Sequence, residues 1–212
     1  MTSDPVVERL EQLAARLRVL EDERALRDLL STYSSHADAQ RDDDWLDLWA
    51  DDGAIEVSMG EGSALLAAMQ RWSGPEGLRE FITNPSGHHR PGFYGHSLHV
   101  HGNNSIIVVD GDDARATTYS LLLQRVGQQS VVVGAGVSAW RFRRETRGWV
   151  IVERRRSEVG SDDTAALLGT TREWSGQSSR RTGDNSALIA DPNSELVCAY
   201  AHDDCAEASG TT

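Results

Sequence analysis

Four segments with strand character, residues 97–109, 114–126, 130–144 and 149–159, follow one another with only Asp-Gly-Asp-Asp, Gly-Gln-Gln and Glu-Thr-Arg-Gly between them. Connections so short and so rich in turn formers join neighbouring strands antiparallel, because a parallel crossover needs roughly a dozen residues or more. The segments are long for strands, and one carries Gly134 and Gly136 in its interior. Glycine inside a strand marks a bend or bulge, and a long bent sheet can wrap round a cavity.

What precedes this meander reads as helix. Leu10, Leu13, Leu17 and Leu20 form an apolar stripe at spacings of three and four, the repeat of one helical face. Such a stripe serves helix packing or a subunit contact. After Glu21-Asp22 it resumes at Leu26, Leu29, Leu30 and Tyr33, which predicts a second helix ending near Ala39. Asp42-Asp43-Asp44 then offers a cap to a short helix over 45–50, and Asp51-Asp52-Gly53 turns the chain into a short strand over 54–58. Residues 59–73 read as loop with some helical content. Gly74-Pro75-Glu76-Gly77 opens a third helix through Ile82, with proline in the first turn, where its missing N–H costs nothing. Helices first and a meander afterwards give an α+β domain.

The formal charge of −12 and a pI near 4.9 exclude the basic surface that a nucleic-acid partner requires. No apolar run approaches the roughly 20 residues of a membrane span, and the first residues have no apolar core. The expectation is a cytoplasmic protein without membrane contact. The only cysteines, Cys198 and Cys205, lie near the end, so no disulfide framework holds the core. Residues 161–169 read as one short helix. Residues 172–212 hold too few core formers to offset the entropy of ordering and read as disordered.

Five of the seven histidines lie between His88 and His101. In Ser97-Leu-His-Val-His101 the period of two puts His99 and His101 on one face. Two imidazoles on a face suit either a metal or acid–base work, but neither a third ligand at fixed spacing nor an HExxH element accompanies them. The acid–base reading therefore leads, with no metal and no cofactor. Tyr33, His36 and Asp38 sit at the end of the second expected helix. A carboxylate bonded to an imidazole fixes its tautomer and stabilises the imidazolium formed on taking a proton, so Asp38 opposite His99 would make a catalytic pair.

The chain resembles the SnoaL-like branch of the nuclear transport factor 2-like superfamily. The likeness is carried, in order, by residues 20–33, Ala37-Asp38, residues 45–53, Gly74-Pro-Glu-Gly77, His99-Val-His-Gly-Asn103, residues 109–114 and Gly148-Trp149-Val-Ile. It implies a cone-shaped α+β fold, with N-terminal helices packed over a curved, mostly antiparallel sheet enclosing a pocket. Relatives include scytalone dehydratase, bile-acid dehydratases, hexachlorocyclohexane dehydrochlorinase, steroid isomerases and polyketide cyclases. Related chains form the largely structural small subunit of aromatic-ring dioxygenases. The resemblance puts the catalytic Asp and His at Asp38 and His99, with His101 the alternative base, and a catalytic tyrosine at Tyr33. A pocket arginine falls among Arg154, Arg155 and Arg156, with Arg154 favoured, and His101 and His36 complete the substrate-binding set.

The expected organisation is a helical extension over 1–19, a SnoaL-like domain over 20–160 and a C-terminal extension over 161–212. The expected function is a cofactor-independent lyase or isomerase, dehydratase- or cyclase-like, acting on a small, largely apolar, oxygenated substrate. His99 abstracts a proton, Asp38 orients it and Tyr33 meets the oxyanion. The alternatives are a non-catalytic ligand-binding or scaffolding domain, and a metal enzyme using His99 and His101. The expected partners are a small molecule and further copies of the chain, as a dimer or trimer.

Overall fold

The computed structural model describes residues 4–58, 70–101, 106–161 and 163–168. Helix α1 runs unbroken over Pro5–Asp38, where two helices were expected. The stripe does change at Asp22, but no glycine or proline stands between Val6 and Asp38, so nothing stops the helix. Asp4 caps its start by accepting from the Val6 N–H at 2.9 Å. Its two halves differ in use. Leu10, Leu13, Leu17 and Leu20 are exposed, whereas Leu26, Leu30, Tyr33 and Ala37 are fully buried against the sheet.

Helix α2 covers Asp42–Leu46, starting earlier than expected. All three aspartates lie in its first turn, where the helix dipole favours negative charge, and none caps it through its side chain. Strand β1 is Trp49–Ser58 and β2 is Gln70–Ser73. Asp51-Asp52-Gly53 is thus the bulged part of a longer strand rather than a turn, because the register against its neighbour shifts between Trp49 and Ala54. Residues 70–73, expected in a loop, pair antiparallel with β1. Helix α3 is Gly74–Ile82, with its proline in the first turn.

The meander supplies β3 (Ser97–His101), β4 (Ile106–Asp110), β5 (Asp113–Val126), β6 (Gln129–Glu145) and β7 (Gly148–Glu158). Both described parts of the segment expected as one strand over 97–109, β3 and β4, pair antiparallel with β5, and residues 102–105 lie outside the described residues. The sheet has the order β2-β1-β7-β6-β5-β3, with β4 also pairing with β5, and among the described residues its one parallel pairing joins β1 to β7. Opposite the β5 pair Leu122–Leu123, the register of β6 jumps from Gly134 to Val132. This is the bulge that the internal glycines announce.

Leu26, Leu30, Tyr33, Trp45, Trp49 and Trp140 join one core between α1 and the sheet. The tyrosine ring stands 5.2 Å from both Trp45 and Trp140, within the range at which aromatic pairs add to burial. A short helix spans 163–168, and Thr164 ties it to Ser157 at 3.1 Å. The expectations for 59–69 and for the tail from 172 lie outside the described residues. Among the described residues, no helix is long and apolar enough to cross a membrane.

Candidate active site

Asp38 is the last residue of α1, and β3 is the last strand of the sheet order. An edge strand leaves alternate N–H groups without a ladder partner. The Asp38 carboxylate takes the one at His99, at 3.1 and 2.9 Å to its two oxygens. The same carboxylate lies 2.6 Å from His99 Nδ1. An ionised carboxylate only accepts, so Nδ1 carries the hydrogen and Nε2 is left as the basic nitrogen. The His99 and Asp38 side chains are 14% and 15% exposed, shielded from bulk water without being sealed off.

His101, on the same strand face, is held differently. Arg154 on β7 presents Nη2 to His101 Nε2 at 3.4 Å. A guanidinium only donates, so Nε2 accepts, and Nδ1–H donates to Ser34 Oγ at 3.1 Å. Burial, and next the charge of Arg154, hold the His101 pKa well below the ordinary histidine value. This ring is a neutral strut with both nitrogens engaged, and a cation already faces the nitrogen that a metal would need. The structure therefore joins Asp38 to His99 and not to His101.

Arg154 is itself buried and has three neutral partners. Nη1 donates to the Tyr33 hydroxyl at 2.6 Å, Nε to Ser138 Oγ at 3.3 Å, and Nη2 meets His101. Its guanidinium also lies over the Tyr33 and Trp140 rings at 5.2 and 5.0 Å, a favourable cation–π setting. Burial raises the Tyr33 pKa, and the charge of Arg154 opposes this, so the phenol keeps its proton. Tyr33 is not among the residues that line the cavity; it reaches the site through Arg154.

The cavity has a volume of about 410 Å³ and is lined by His88, His99, His101, Arg154, Phe81 and Leu122 among others. The strand alternation settles the arginine run. Arg154 and Arg156 line the cavity, while Arg155 donates to Glu56 on the other face at 3.1 Å. His36 lies away from the lining, and its buried Nδ1 has no hydrogen-bond partner among the described residues. Two lining residues, His88 and Arg156, were not singled out as leading site residues from the sequence. The His88 ring stacks on His99 at 5.2 Å. Burial, and next the proximity of His99, push its pKa down to about 3. Its signal was the density of histidines over 88–101; that of Arg156 was the period of two from Arg154. Among the described residues, no group of three or more His, Cys, Asp or Glu converges as a metal-binding set.

A helix end that anchors an edge-strand histidine at the wall of a cavity, in a mixed, helix-covered sheet, defines an α+β cone-fold protein. The model of the SnoaL-like domain matches residues 18–155, and the chain belongs to that family. It is similar to the crystal structure of an NTF2-like protein with a cystatin-like fold from Novosphingobium aromaticivorans. The identity is 29% and the TM-score 0.65, over 75% of this chain and 96% of the other. Two further structures from that organism show the fold alone. One is provisionally named the beta subunit of an aromatic-ring-hydroxylating dioxygenase, at 19% identity and TM-score 0.53, covering 67% and 91% of the two chains. The other is provisionally named a scytalone dehydratase, at 17% identity and TM-score 0.51, covering 66% and 85%. No curated protein matches the chain.

Proposed function

We propose that this chain is an acid–base lyase or isomerase acting on a small oxygenated molecule with substantial apolar surface. The observation that carries the reading is the double hold of Asp38 on His99, ring and backbone, at the wall of a cavity. His99 Nε2 takes a proton from the carbon beside a carbonyl, and Asp38 stabilises the resulting imidazolium. Arg154, held by Tyr33 and Ser138, stabilises the enolate oxygen. The imidazolium then gives its proton to a departing hydroxyl, releasing water, or to another carbon, giving an isomer. The first outcome is a dehydration; the second is an isomerisation. The chemistry needs no group beyond these side chains. General base catalysis of this kind contributes about 10²–10⁴ in rate, and the preorganised cation supplies a further share.

The rival reading is a non-catalytic scaffolding or ligand-binding domain, since fold does not imply function. The deciding experiment screens cyclic ketones and β-hydroxy ketones in D₂O for α-deuteration and water loss. The proposal expects turnover that falls at least about 10²-fold in His99→Ala. Equal rates with the native chain, the variant and buffer would favour the scaffold.

A further inference from the structure

We propose that the ligand of this cavity carries a single carboxylate and that Arg156 binds it. The inference rests on the acid–base reading for the identity of the cavity, and it adds the chemical class of the substrate.

Among the described residues, three arginines line the cavity, Arg90, Arg154 and Arg156, against one acid, Glu158. Two of the three are engaged with neutral groups. Arg90 donates to Gln124 Oε1 at 2.9 Å, and Arg154 has Tyr33, Ser138 and His101. Arg156 has no hydrogen-bond or ion-pair partner among the described residues. Asp38 gives no relief, because its carboxylate is committed to His99. A partly buried guanidinium whose donors have no protein partner is costly to keep. Burial and the like charge of Arg154 both lower its pKa, which marks the same imbalance. An anionic ligand corrects it.

The side chain of Arg156 lies along the glycine-bearing stretch of the neighbouring strand β6. A Cβ on Gly134 would stand 3.5 Å from Arg156 Nη2 and one on Gly136 3.4 Å from its Cζ, ordinary contact distances that place the guanidinium over this stretch, while Gly136 itself is required by the Ser157 carbonyl oxygen, which a Cβ there would overlap. The guanidinium thus lies against Gly134-Ala-Gly136. Arg156 and Gly134 both line the cavity, together with Leu122 and Val133. A planar fork matches a carboxylate with two parallel hydrogen bonds. Glu158, two residues along the same strand face, adds a negative charge that a dianion such as a phosphate monoester would meet. The apolar walls take the body of the ligand. The chemistry is that of an apolar or aromatic monocarboxylate.

The test compares 2-naphthoate with 2-naphthamide, its neutral counterpart, by calorimetric titration of the full chain. The expected result is binding of 2-naphthoate at least about tenfold tighter than of the amide, as expected for hydrogen bonds to a charged partner. In Arg156→Met the preference disappears while the amide binds as before; Arg156→Lys, which keeps the charge without the fork, retains part of it. His99→Gln keeps the full preference, so loss of proton chemistry and loss of carboxylate binding are read separately. Equal affinity for the two compounds, a preference that survives in Arg156→Met, or no binding of either compound overturns the proposal. Should Arg156→Met fail to fold, an undiminished preference in Arg156→Lys counts against the bidentate fork.

Discussion

The carboxylate of Asp38 holds His99 at two points, accepting from its ring Nδ1 at 2.6 Å and from its backbone N–H at 2.9 Å. One group therefore sets both the position of the strand edge and the tautomer of the ring it carries. Replacing it separates the two roles. In Asp38→Ala the His99 N–H loses its acceptor, and the expected loss of stability is about 1–3 kcal/mol. Asp38→Asn keeps an acceptor oxygen and should lose about half as much or less. Urea denaturation of both variants, compared at constant m-value, checks the order.

Tyr33→Phe removes the acceptor of a buried guanidinium while leaving the ring in place between Trp45 and Trp140. The expected cost is about 1–3 kcal/mol of stability, because Arg154 Nη1 is left without its closest partner. On a turned-over ketone, the loss should fall on kcat rather than KM, since Arg154 acts on charge that develops in the transition state. Unchanged kcat with a raised KM would place Tyr33 in ground-state binding instead.

His88 and His101 make stability fall in acid. Both pKa values lie below the ordinary 6.5, that of His88 at about 3. As the pH drops below 6.5 the unfolded chain takes up protons that the folded rings refuse, so the folded state loses ground. For His88 the loss runs from about pH 6.5 to about pH 3, with a slope of at most about 1.4 kcal/mol per pH unit for one ring. Melting profiles of the native chain and of His88→Gln should therefore converge in acid, with the native chain showing the steeper decline. Parallel profiles would contradict the assignment.

Much of this fold was legible because periodicity is local. The 3.6-residue stripe marks the buried Leu26, Leu30 and Tyr33, and the period of two places His99 with His101 and Arg154 with Arg156. The legibility ends where structure depends on residues far apart in the chain. Nothing within Gln70–Ser73 reveals a strand until β1 lies beside it, and the parallel pairing of β1 with β7 joins Ile55 to Arg154. The site was legible to the same degree. Asp38 and His99 stand on periodic elements, whereas His88 comes from an aperiodic segment. That segment is anchored by the Gln40 side chain on the His88 carbonyl at 2.9 Å and by His89 on Asp42 at 3.1 Å. Tyr33, expected to meet the oxyanion directly, is packed one layer behind Arg154.

The first half of α1 contributes nothing to the core, since its fully buried residues begin at Leu26. Removing residues 1–19 should leave the melting temperature of the folded chain within about 2–4 °C, the shift that 1 kcal/mol produces in a domain of this size. A larger fall, read by calorimetry at several protein concentrations, would mean that the exposed leucine stripe is buried in solution.

The central claim is that Asp38 fixes the neutral His99 ring with its hydrogen on Nδ1 and its lone pair on Nε2. Long-range ¹H–¹⁵N spectra of the full chain, with His99 assigned through His99→Gln, measure this directly. The predicted result is a protonated Nδ1 and a bare Nε2 in the neutral ring, with the two tautomers mixing in Asp38→Asn. A hydrogen found on Nε2, or a tautomer indifferent to Asp38→Asn, would contradict the pair as the proton-abstracting unit.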